Sequence, residues 1–378
     1  MKYVYMIDAR GVISENDPAT LERHHSYSVR LRDSSKGEIE KLNVISIVKN
    51  AYPKEVNYKE YLRIDYVTGF LEFIGEILRI RKIIIKSNTK VQILIASDPW
   101  QSFFYAYIFS ILVAHSNKNI IPIQVQIHAD IFDPRWFKAS VKNFIKLVVA
   151  IPSLFLSKQI RCVSTGQSNN LKRYFPRMAA KIKVISVPLQ IPKADYVEKL
   201  SERERSIVIS SRLEPDRGLD SLTDFLGELE NTGYDFSLKI IGAGSLLDDL
   251  LEKSISILGE KRVNYLGFLT GEEYFKALSS GGVLVSFAPS ESYGRSIREA
   301  LALGVPVLAT SSSGVDLLKQ EFPLMELNII PRSLNSVQIV KTLDEAFAVK
   351  TNRDNLRVFQ SKNEENEIAL IESWIDEH

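Results

Sequence analysis

The sequence contains 378 residues, of which 45% are hydrophobic and 25% are charged. These proportions are typical of a globular protein large enough for two domains, and they exclude a fibrous or wholly disordered chain. The formal net charge of +2 hides an asymmetry, because residues 1–190 hold 28 basic against 15 acidic residues and the remainder holds 20 against 31.

The first half of the chain alternates short apolar strands with longer helical patterns. Strands are predicted at 3–7, 44–48, 91–96, 121–127, 161–164 and 184–187, and helices at 58–82, 101–114 and 138–147. The start of the chain lacks the basic head and long apolar stretch of a signal peptide, so we expect a cytoplasmic protein. The longest apolar run, 103–114, is shorter than the ~20 residues needed to cross a bilayer and predicts a buried helix.

Residues 134–194 contain twelve basic residues and no acidic one. This charge favours an anionic partner, and charge alone does not distinguish nucleic acid, anionic lipid and a phosphorylated substrate. Within it, residues 141–156 combine lysines with many apolar residues, which predicts a surface patch that contacts an anionic membrane. Pro152 is expected to interrupt a continuous helix there. We find no aromatic and basic signature of RNA binding, and we expect no nucleic-acid partner.

The second half repeats the alternation after a charged, proline-containing linker at 191–205. Strands are predicted at 206–210, 237–241, 263–266, 282–287 and 306–309, with helices at 219–230, 246–258, 272–279 and 296–303. The pattern predicts an α/β protein with two doubly wound, Rossmann-like domains, 1–190 and 206–350, facing across a cleft. Residues 351–378 are expected to form a C-terminal helix that packs back toward the N-terminal domain.

The densest polar motif lies at 288–307. A helix predicted to begin near Arg295 would direct the amides of Tyr293, Gly294 and Arg295 toward the cleft, an arrangement that binds anions. Glu291 precedes this helix and Glu299 lies within it, so we expect two carboxylates in one pocket. One of them can hold a ribose diol, and the other is left for a sugar.

Two further loops follow predicted strands of the second half. Arg212 and Arg217 lie on one loop and could clamp a diphosphate from both sides. The alternative is that they pair with the nearby Glu214 and Asp216 on an exposed loop. For the motif at 288–307, the corresponding alternative is that its two glutamates are solvated carboxylates at the start of a helix. The pair of glycines at 242 and 244 is by itself a weak nucleotide signal.

In this order, the motifs of residues 207–316 resemble the donor-binding half of the retaining glycosyltransferases of family 4, the "group 1" enzymes of GT-B fold. The first half resembles them more loosely, through segments at 96–99, 124–130 and 163–164. The resemblance implies roles for the following residues: Glu299 at the ribose, Glu291 with Ser292, Tyr293 and Gly294 at the donor sugar and phosphate, Arg212 and Arg217 at the leaving diphosphate, His128 at the donor sugar, and Phe268 with Gly242 at the nucleotide.

The sequence departs from the family pattern at several positions. Arg217 stands where lysine is usual, which keeps the charge but changes its geometry. The glycine pair expected after the first strand is replaced by residues 8–11, which leaves Gly11 for a close approach to phosphate. Asp316 and Ser313 also differ from the common residues. These departures leave open the alternative that the chain is a catalytically inactive relative of the family.

The function implied by the resemblance is a retaining, metal-independent hexosyltransferase that uses a nucleoside-diphosphate sugar. The sequence has no Asp-x-Asp triplet, and no cofactor or metal is expected. The acceptor would be a saccharide or lipid-linked intermediate of a bacterial surface polysaccharide, used at the inner face of the cell membrane. The alternatives are a catalytically inactive nucleotide-sugar-binding subunit of a membrane-bound pathway and a GT-B epimerase of nucleotide sugars.

Overall fold

The structure is a computed structural model. It describes residues 2–13, 18–49, 54–117, 119–138, 140–189, 191–192, 203–331, 335–349 and 354–375. The chain divides into two compact units, of which the first contains residues 1–188 and 365–378 and the second contains residues 189–364. Most of the predicted linker, residues 193–202, lies outside the described residues.

The first unit is built on an eight-stranded sheet. Its strands are β1 (Lys2–Asp8), β2 (Ile39–Ile47), β3 (Glu55–Tyr58), β4 (Leu62–Val67), β5 (Lys90–Ala96), β6 (Ile123–Ile127), β7 (Gln159–Cys162) and β8 (Ile182–Val184). Its helices are α1 (Pro18–Ser34), α2 (Phe70–Ser87), α3 (Gln101–Asn117), α4 (Pro134–Phe137), α5 (Val141–Leu156) and α6 (Thr165–Tyr174). The strand order is β3-β4-β2-β1-β5-β6-β7-β8, and every pair except β3 with β4 is parallel.

Two apolar cores lie on the two faces of this sheet. Helices α2, α3 and α5 contribute to one core, through residues such as Phe73, Phe109 and Leu154. Helix α1 contributes to the other through Leu31, together with Trp374 from the last helix, α13 (Asp354–Ile375). Helices therefore cover both faces, as a doubly wound parallel sheet requires.

The predicted helix at 58–82 is wrong at its start. Residues Leu62–Val67 form the parallel strand β4, and α2 begins only at Phe70. The apolar residues Leu62, Ile64 and Tyr66 alternate with the polar Arg63 and Asp65, which is the period of a strand, but this period was hidden by the helical pattern that follows it. Gly69, with extended backbone, separates the two elements.

The expectation that Pro152 breaks the helix at 141–156 is also wrong. α5 is continuous from Val141 to Leu156 with Pro152 inside it. Pro152 lies on the exposed side of the helix, so water can reach the carbonyl group of Val148 that loses its amide donor. Burial of Ala150 and Leu154 on the opposite side holds the helix against the sheet.

The second unit contains a six-stranded parallel sheet. Its strands are β9 (Ser206–Ser210), β10 (Ser237–Ile241), β11 (Val263–Gly267), β12 (Val283–Ser286), β13 (Val307–Thr310) and β14 (Leu327–Ile330). Its helices are α7 (Leu219–Glu230), α8 (Leu247–Leu258), α9 (Gly271–Ser279), α10 (Arg295–Ala302), α11 (Ser313–Glu321) and α12 (Ser336–Ala348), followed by the start of α13.

The order of these strands is β11-β10-β9-β12-β13-β14. The chain therefore adds strands outward on one side of β9 and then returns to β12 on its other side. This is the order of the Rossmann fold, and ligands bind such sheets at the carboxyl ends of the two strands where the order reverses. In the second unit those strands are β9 and β12. Among the described residues, no helix is both long and apolar enough to span a membrane.

Candidate functional site

The loops after β9 and β12 bring two of the predicted site residues into contact. Nη1 of Arg217 lies 2.8 Å from Oε2 of Glu291, and both side chains are about one-fifth exposed. Oδ1 of Asp216 lies 3.6 Å from Nε of Arg217, an atom that is buried without a hydrogen bond in the described structure. A cation and a carboxylate therefore meet where the strand order reverses, which is where this fold binds ligands.

Arg212 is not part of this contact. Its side chain is 63% exposed and pairs with Asp216 at 3.1 Å, as the alternative interpretation of the loop expected. Exposed pairs of this kind contribute about 0–1 kcal/mol, so Arg212 can exchange Asp216 for another anion at little cost. Glu214 instead accepts hydrogen bonds from the amide and hydroxyl groups of Ser245, which lower the pKa of Glu214.

Helix α10 begins at Arg295, as predicted. Gly294 precedes it in the left-handed conformation, with φ of 70°, and no side chain caps this end of α10 within the described part of the chain. The amide groups and dipole at the start of a helix favour a negative charge. Ser292 and Glu291 lie in the turn just before this end, and the carbonyl group of Glu291 accepts a hydrogen bond from the amide of Gly314.

Glu299 lies one turn inside α10 and is 2% exposed. Its Oε1 accepts a hydrogen bond from Nε of Arg295 at 2.8 Å, and its Oε2 accepts one from the hydroxyl group of Tyr274 at 2.8 Å. The Tyr274 hydroxyl is also 3.1 Å from Oγ of Ser210. Burial and the neighbouring Glu299 carboxylate raise the pKa of Tyr274, so its hydroxyl stays protonated and donates to Glu299.

Sequence reasoning missed Tyr274 and Ser210 as members of this site. Ser210 ends β9, and that position at the carboxyl end of a central strand was a usable signal. Tyr274 lies on α9, far from Glu299 along the chain, and no local motif connects the two.

Tyr293 serves mainly to hold the turn before α10. It is buried, and the guanidinium group of Arg298 lies 4.2 Å from the centre of its ring. Nε of Arg298 donates to the carbonyl oxygen of Tyr293 at 3.0 Å, and its Nη2 pairs with Glu321 at 2.9 Å. This network fixes the backbone whose amides face the start of the helix.

The remaining predicted residues of the second unit follow β10 and β11. Gly242 has φ of 139°, and a Cβ atom there would lie 1.9 Å from the carbonyl oxygen of Ser211, so only glycine lets these two loops approach so closely. The hydroxyl group of Tyr265 donates to the carbonyl oxygen of Gly242 at 3.2 Å. Phe268 is 75% exposed just after β11, where its ring is available for stacking.

Two predicted residues belong to the first unit. Gly11 turns the chain after β1 with φ of 64°, and His128 follows β6. Nε2 of His128 lies 3.2 Å from Oε1 of Gln126. The side chain of His128 is exposed; the surrounding protein and, secondarily, Arg161 shift its pKa downward, which favours the neutral imidazole. Across the described ranges, no group of three or more histidine, cysteine or acidic side chains is arranged to hold a metal ion.

Comparison with known proteins bears on the fold and on one segment of the chain. Residues 190–323 match the family described as "Glycosyl transferases group 1". The chain is 32% identical over 113 residues to a tRNA-queuosine alpha-mannosyltransferase of Drosophila melanogaster, and this covers 30% of each chain. It is 26% identical over 182 residues to an uncharacterized glycosyltransferase of Methanocaldococcus jannaschii, covering 45% of this chain and 46% of the relative. The aligned segments thus span less than half the length of these relatives.

Solved structures match nearly the whole chain. Sucrose-phosphate synthase from Thermosynechococcus elongatus superposes with a TM-score of 0.68 and 14% identity, covering 98% of this chain and 95% of that one. HepE of Anabaena, solved in complex with UDP and glucose, superposes with a TM-score of 0.64 and 16% identity, covering 99% and 98%. At these identities the likeness establishes the fold. The chain has the two Rossmann-like domains of the GT-B fold, as the sequence predicted.

Proposed function

We propose that this chain is a glycosyltransferase that transfers a sugar from a nucleoside-diphosphate donor to a saccharide or lipid-linked acceptor. The observation that carries the proposal is the contact of Arg217 with Glu291 beside the start of α10, because it lies within the segment that matches the group 1 glycosyl transferases. This arrangement offers a diphosphate and a sugar adjacent partners of suitable charge.

The donor diphosphate would lie between Arg217 and the start of α10. As the bond between the sugar and the diphosphate breaks, negative charge grows on the departing phosphate. A fixed guanidinium group and helix amides stabilise that charge more strongly in the transition state than in the ground state. Arg295 at the first position of α10 and the exposed Arg212 can add to this stabilisation.

The nucleoside would extend toward Glu299 and Phe268. Glu299 accepts hydrogen bonds from Arg295 and Tyr274, and an ionised carboxylate can accept about four, so it is a suitable partner for the ribose hydroxyl groups. The exposed ring of Phe268 would contact the base, and the close loops at Gly242 would border the phosphates.

We propose a retaining transfer that needs no metal ion. In this scheme the bond from the anomeric carbon to the diphosphate oxygen breaks, the acceptor oxygen bonds to the same face of that carbon, and the acceptor proton moves to the departing phosphate. The side chains of Arg217 and Arg295 would supply the positive charge that a metal ion provides elsewhere. Glu291 is proposed to contact the donor sugar.

The acceptor would be used at an anionic membrane surface, and α5 supports this part of the proposal. A stripe of apolar side chains runs along its solvent-facing side: Val141, Phe144, Ile145, Val148, Val149, Phe155 and Leu156, each at least half exposed. The positions recur every three or four residues, so they share one face of the helix. Soluble helices normally turn such a face toward the core.

The charge around this stripe matches an anionic bilayer. Lys138 and Lys142 are exposed and Lys146 is half-buried on or beside α5, and residues 134–194 contain no acidic side chain. An apolar helix face with a cationic rim binds in the plane of an anionic membrane interface. We therefore propose that the protein acts at the inner face of the cell membrane, on an acceptor from surface polysaccharide synthesis.

A panel of nucleotides followed by a turnover assay tests the activity. UDP, GDP and ADP, each with its glucose derivative, would be added to the full chain, and the preferred donor should raise the unfolding temperature because it binds only the folded protein. That donor should then be consumed in the presence of saccharide or lipid-linked acceptors, and Glu291→Gln should abolish its use. The exposed Glu252 on α8 provides the matched control, Glu252→Gln.

The outcomes separate the alternatives. Sugar transfer by the native chain and by Glu252→Gln, but not by Glu291→Gln, supports the proposal. Donor binding with no turnover against any acceptor would instead identify an inactive binding subunit. Conversion of the nucleotide sugar to its epimer without an acceptor would identify an epimerase.

A further inference from the structure

The first unit contains a cavity of about 220 Å³ at the carboxyl ends of its central strands. Its walls include Asp8 at the end of β1, Arg10 after that strand, Ser97 after β5 and His128 after β6. The order of the first sheet reverses between β1 and β5, so this cavity occupies the position where a parallel sheet binds ligands. Helices α1 and α13 close it from one face of the sheet, the latter through Trp374.

The described walls of this cavity carry more positive than negative groups. Three guanidinium groups line it, those of Arg10, Arg23 and Arg161, and Asp8 is the one carboxylate among the described lining residues. The carboxylate of Asp8 accepts hydrogen bonds from the amide of Ile13 at 2.7 Å and from the amide of Arg10 at 3.3 Å. The side chain of Arg10 is half exposed, and its Nε is 3.8 Å from Oδ2 of Asp98.

The central arginine of the cavity is held rigidly. Arg161 is 3% exposed, its Nε donates to the carbonyl oxygen of Ile185 at 3.0 Å, and its Nη2 donates to that of Ser186 at 2.9 Å. Arg161 pairs in register with Gln126 on the neighbouring strand, so their side chains share the face of the sheet that borders the cavity. A buried guanidinium fixed in this way is pre-organised to receive an anion.

The same arginines act on His128 at the rim. The surrounding protein lowers the pKa of its imidazole most, and Arg161, Arg10 and Arg23 lower that pKa further, as expected for three cations that line the same cavity. An anion bound in the cavity would be attracted by all three guanidinium groups. The neutral His128 and the amide of Gln126 add groups that can form hydrogen bonds to hydroxyl groups.

The size of the cavity limits what it can hold. Pockets for drug-sized ligands have volumes of roughly 300–1,000 Å³. A cavity of about 220 Å³ suits one sugar residue or a smaller group. Tyr27 and Trp374 supply aromatic walls, and Thr20 and Ser97 supply hydroxyl groups, which is a lining suited to a polar ring.

We propose that this cavity binds an anionic group of the acceptor, a phosphate or carboxylate carried on a single sugar residue, through Arg161, Arg23 and Arg10. The inference rests on the proposed glycosyl transfer and narrows its acceptor to a charged saccharide. The shared chemistry is an oxyanion on a sugar, and its source is a glycosyl phosphate or a uronic acid.

Calorimetry on the full chain tests the proposal with glucose 6-phosphate, glucuronate, neutral glucose and inorganic phosphate as probes. We expect the affinity for a charged sugar to be at least about tenfold higher than that for glucose, since a hydrogen bond to a charged group contributes a free energy of this size. Arg23→Gln and Arg10→Gln should each weaken the charged probe about tenfold, and Arg173→Gln, an exposed arginine on α6, should leave it unchanged. Preference for one charged sugar over the other identifies the source.

Competition with UDP separates this cavity from the donor site. The charged probe should bind equally in the presence of saturating UDP, and Glu299→Gln should weaken UDP without affecting the probe. The proposal would be overturned if glucose bound as tightly as the charged probe, or if Arg173→Gln weakened binding of the probe as much as Arg23→Gln and Arg10→Gln do. Displacement of the probe by UDP would also overturn it. UDP binding that depends on Glu299 would, in those cases, leave the proposed donor site standing. Absent binding of UDP, GDP and ADP alike would contradict the proposed function instead.

Discussion

The two sheets carry their cations in different surroundings at equivalent positions. After β9 and β12 of the second unit, Arg217 pairs with Glu291, and Arg295 pairs with Glu299. After β1 and β5 of the first unit, three arginines border a cavity with Asp8 as the one carboxylate of its described lining. The same fold position therefore holds nearly balanced charges in one unit and an excess of positive charge in the other.

This difference shows why the net charge of each half of the sequence is a poor guide to where an anion would bind. The second half of the sequence is acidic, yet its pairs place individual guanidinium groups where a diphosphate would bind, and each carboxylate fixes the geometry of its partner. The first half is basic, and its charges are spread over a cavity and a helix face. The binding that we propose depends on paired geometry in one unit and on an excess of positive charge in the other.

The contrast between the two units is tested most directly by removing the paired cation of the second unit. Arg217→Gln is expected to lower the rate of sugar transfer by about 10²–10³-fold, the usual loss when one fixed donor to a developing negative charge is removed. Steady-state kinetics with saturating donor would measure it. Arg262→Gln is the matched control, because Arg262 also forms an ion pair, with Glu230 at 2.6 Å, but away from β9 and β12. Equal losses in both variants would contradict the role of Arg217.

A second prediction concerns the carboxylate partner. Glu299→Ala should weaken nucleotide binding by about 1–3 kcal/mol through loss of charge-assisted hydrogen bonds to the ribose. Tyr274 keeps its contact with Ser210 in this variant, so the fold of the site should survive. Calorimetric titration with the preferred nucleoside diphosphate measures the change, and an unaltered affinity would remove Glu299 from the nucleotide site.

A third prediction concerns the positive charge on α5 of the first unit. Reversing two lysines, Lys142→Glu with Lys146→Glu, should release the chain from vesicles containing anionic lipid, because each lysine near such a surface contributes about 1 kcal/mol. Flotation with neutral and anionic vesicles measures this. The exposed Lys261 and Lys276 of the second unit give a control of equal charge change. Binding that is indifferent to lipid charge and to the α5 substitutions would refute the membrane proposal.

The smallest expected effect is that of chelation. If side-chain cations alone offset the charge of the leaving diphosphate, thorough treatment with EDTA should leave the rate of transfer unchanged. The rate before treatment and after dialysis provides the comparison. Loss of activity that one divalent cation restores would show that Arg217 and Arg295 are insufficient and would contradict the metal-free scheme.

Local patterns were enough to predict much of the second unit. The start of α10 at Arg295 was predicted because the turn and the apolar period after it are encoded in adjacent residues. The pairing partner of Arg217 was not predicted, because Asp216 and Glu214 are near it in sequence and Glu291 is near it only in space. Tyr274 was missed for the same reason, since its contact with Glu299 joins two helices.

Local patterns were less informative in the first unit. α1 is absent from the predicted elements because its buried face includes polar residues such as His24 and Ser28, which hide the apolar period. The predicted buried helix at 103–114 is only partly buried, since Phe104 and Ile111 of α3 are exposed. Whether an apolar side chain faces a sheet or solvent depends on tertiary packing, and periodicity alone does not show it.

The positions of the tryptophans give the first unit two separate optical reporters. The indole of Trp374 donates to Gln124 and borders the cavity, whereas Trp100 and Trp136 stack on each other and contact α5 through the carbonyl oxygen of Lys146 and the side chain of Asn143. Ligand entry into the cavity should therefore alter the emission of one fluorophore, and contact of α5 with vesicles should alter that of the other two. With a Trp374→Phe variant and a variant that combines Trp100→Phe with Trp136→Phe, the intrinsic fluorescence of the chain would follow the two events independently and without an attached dye.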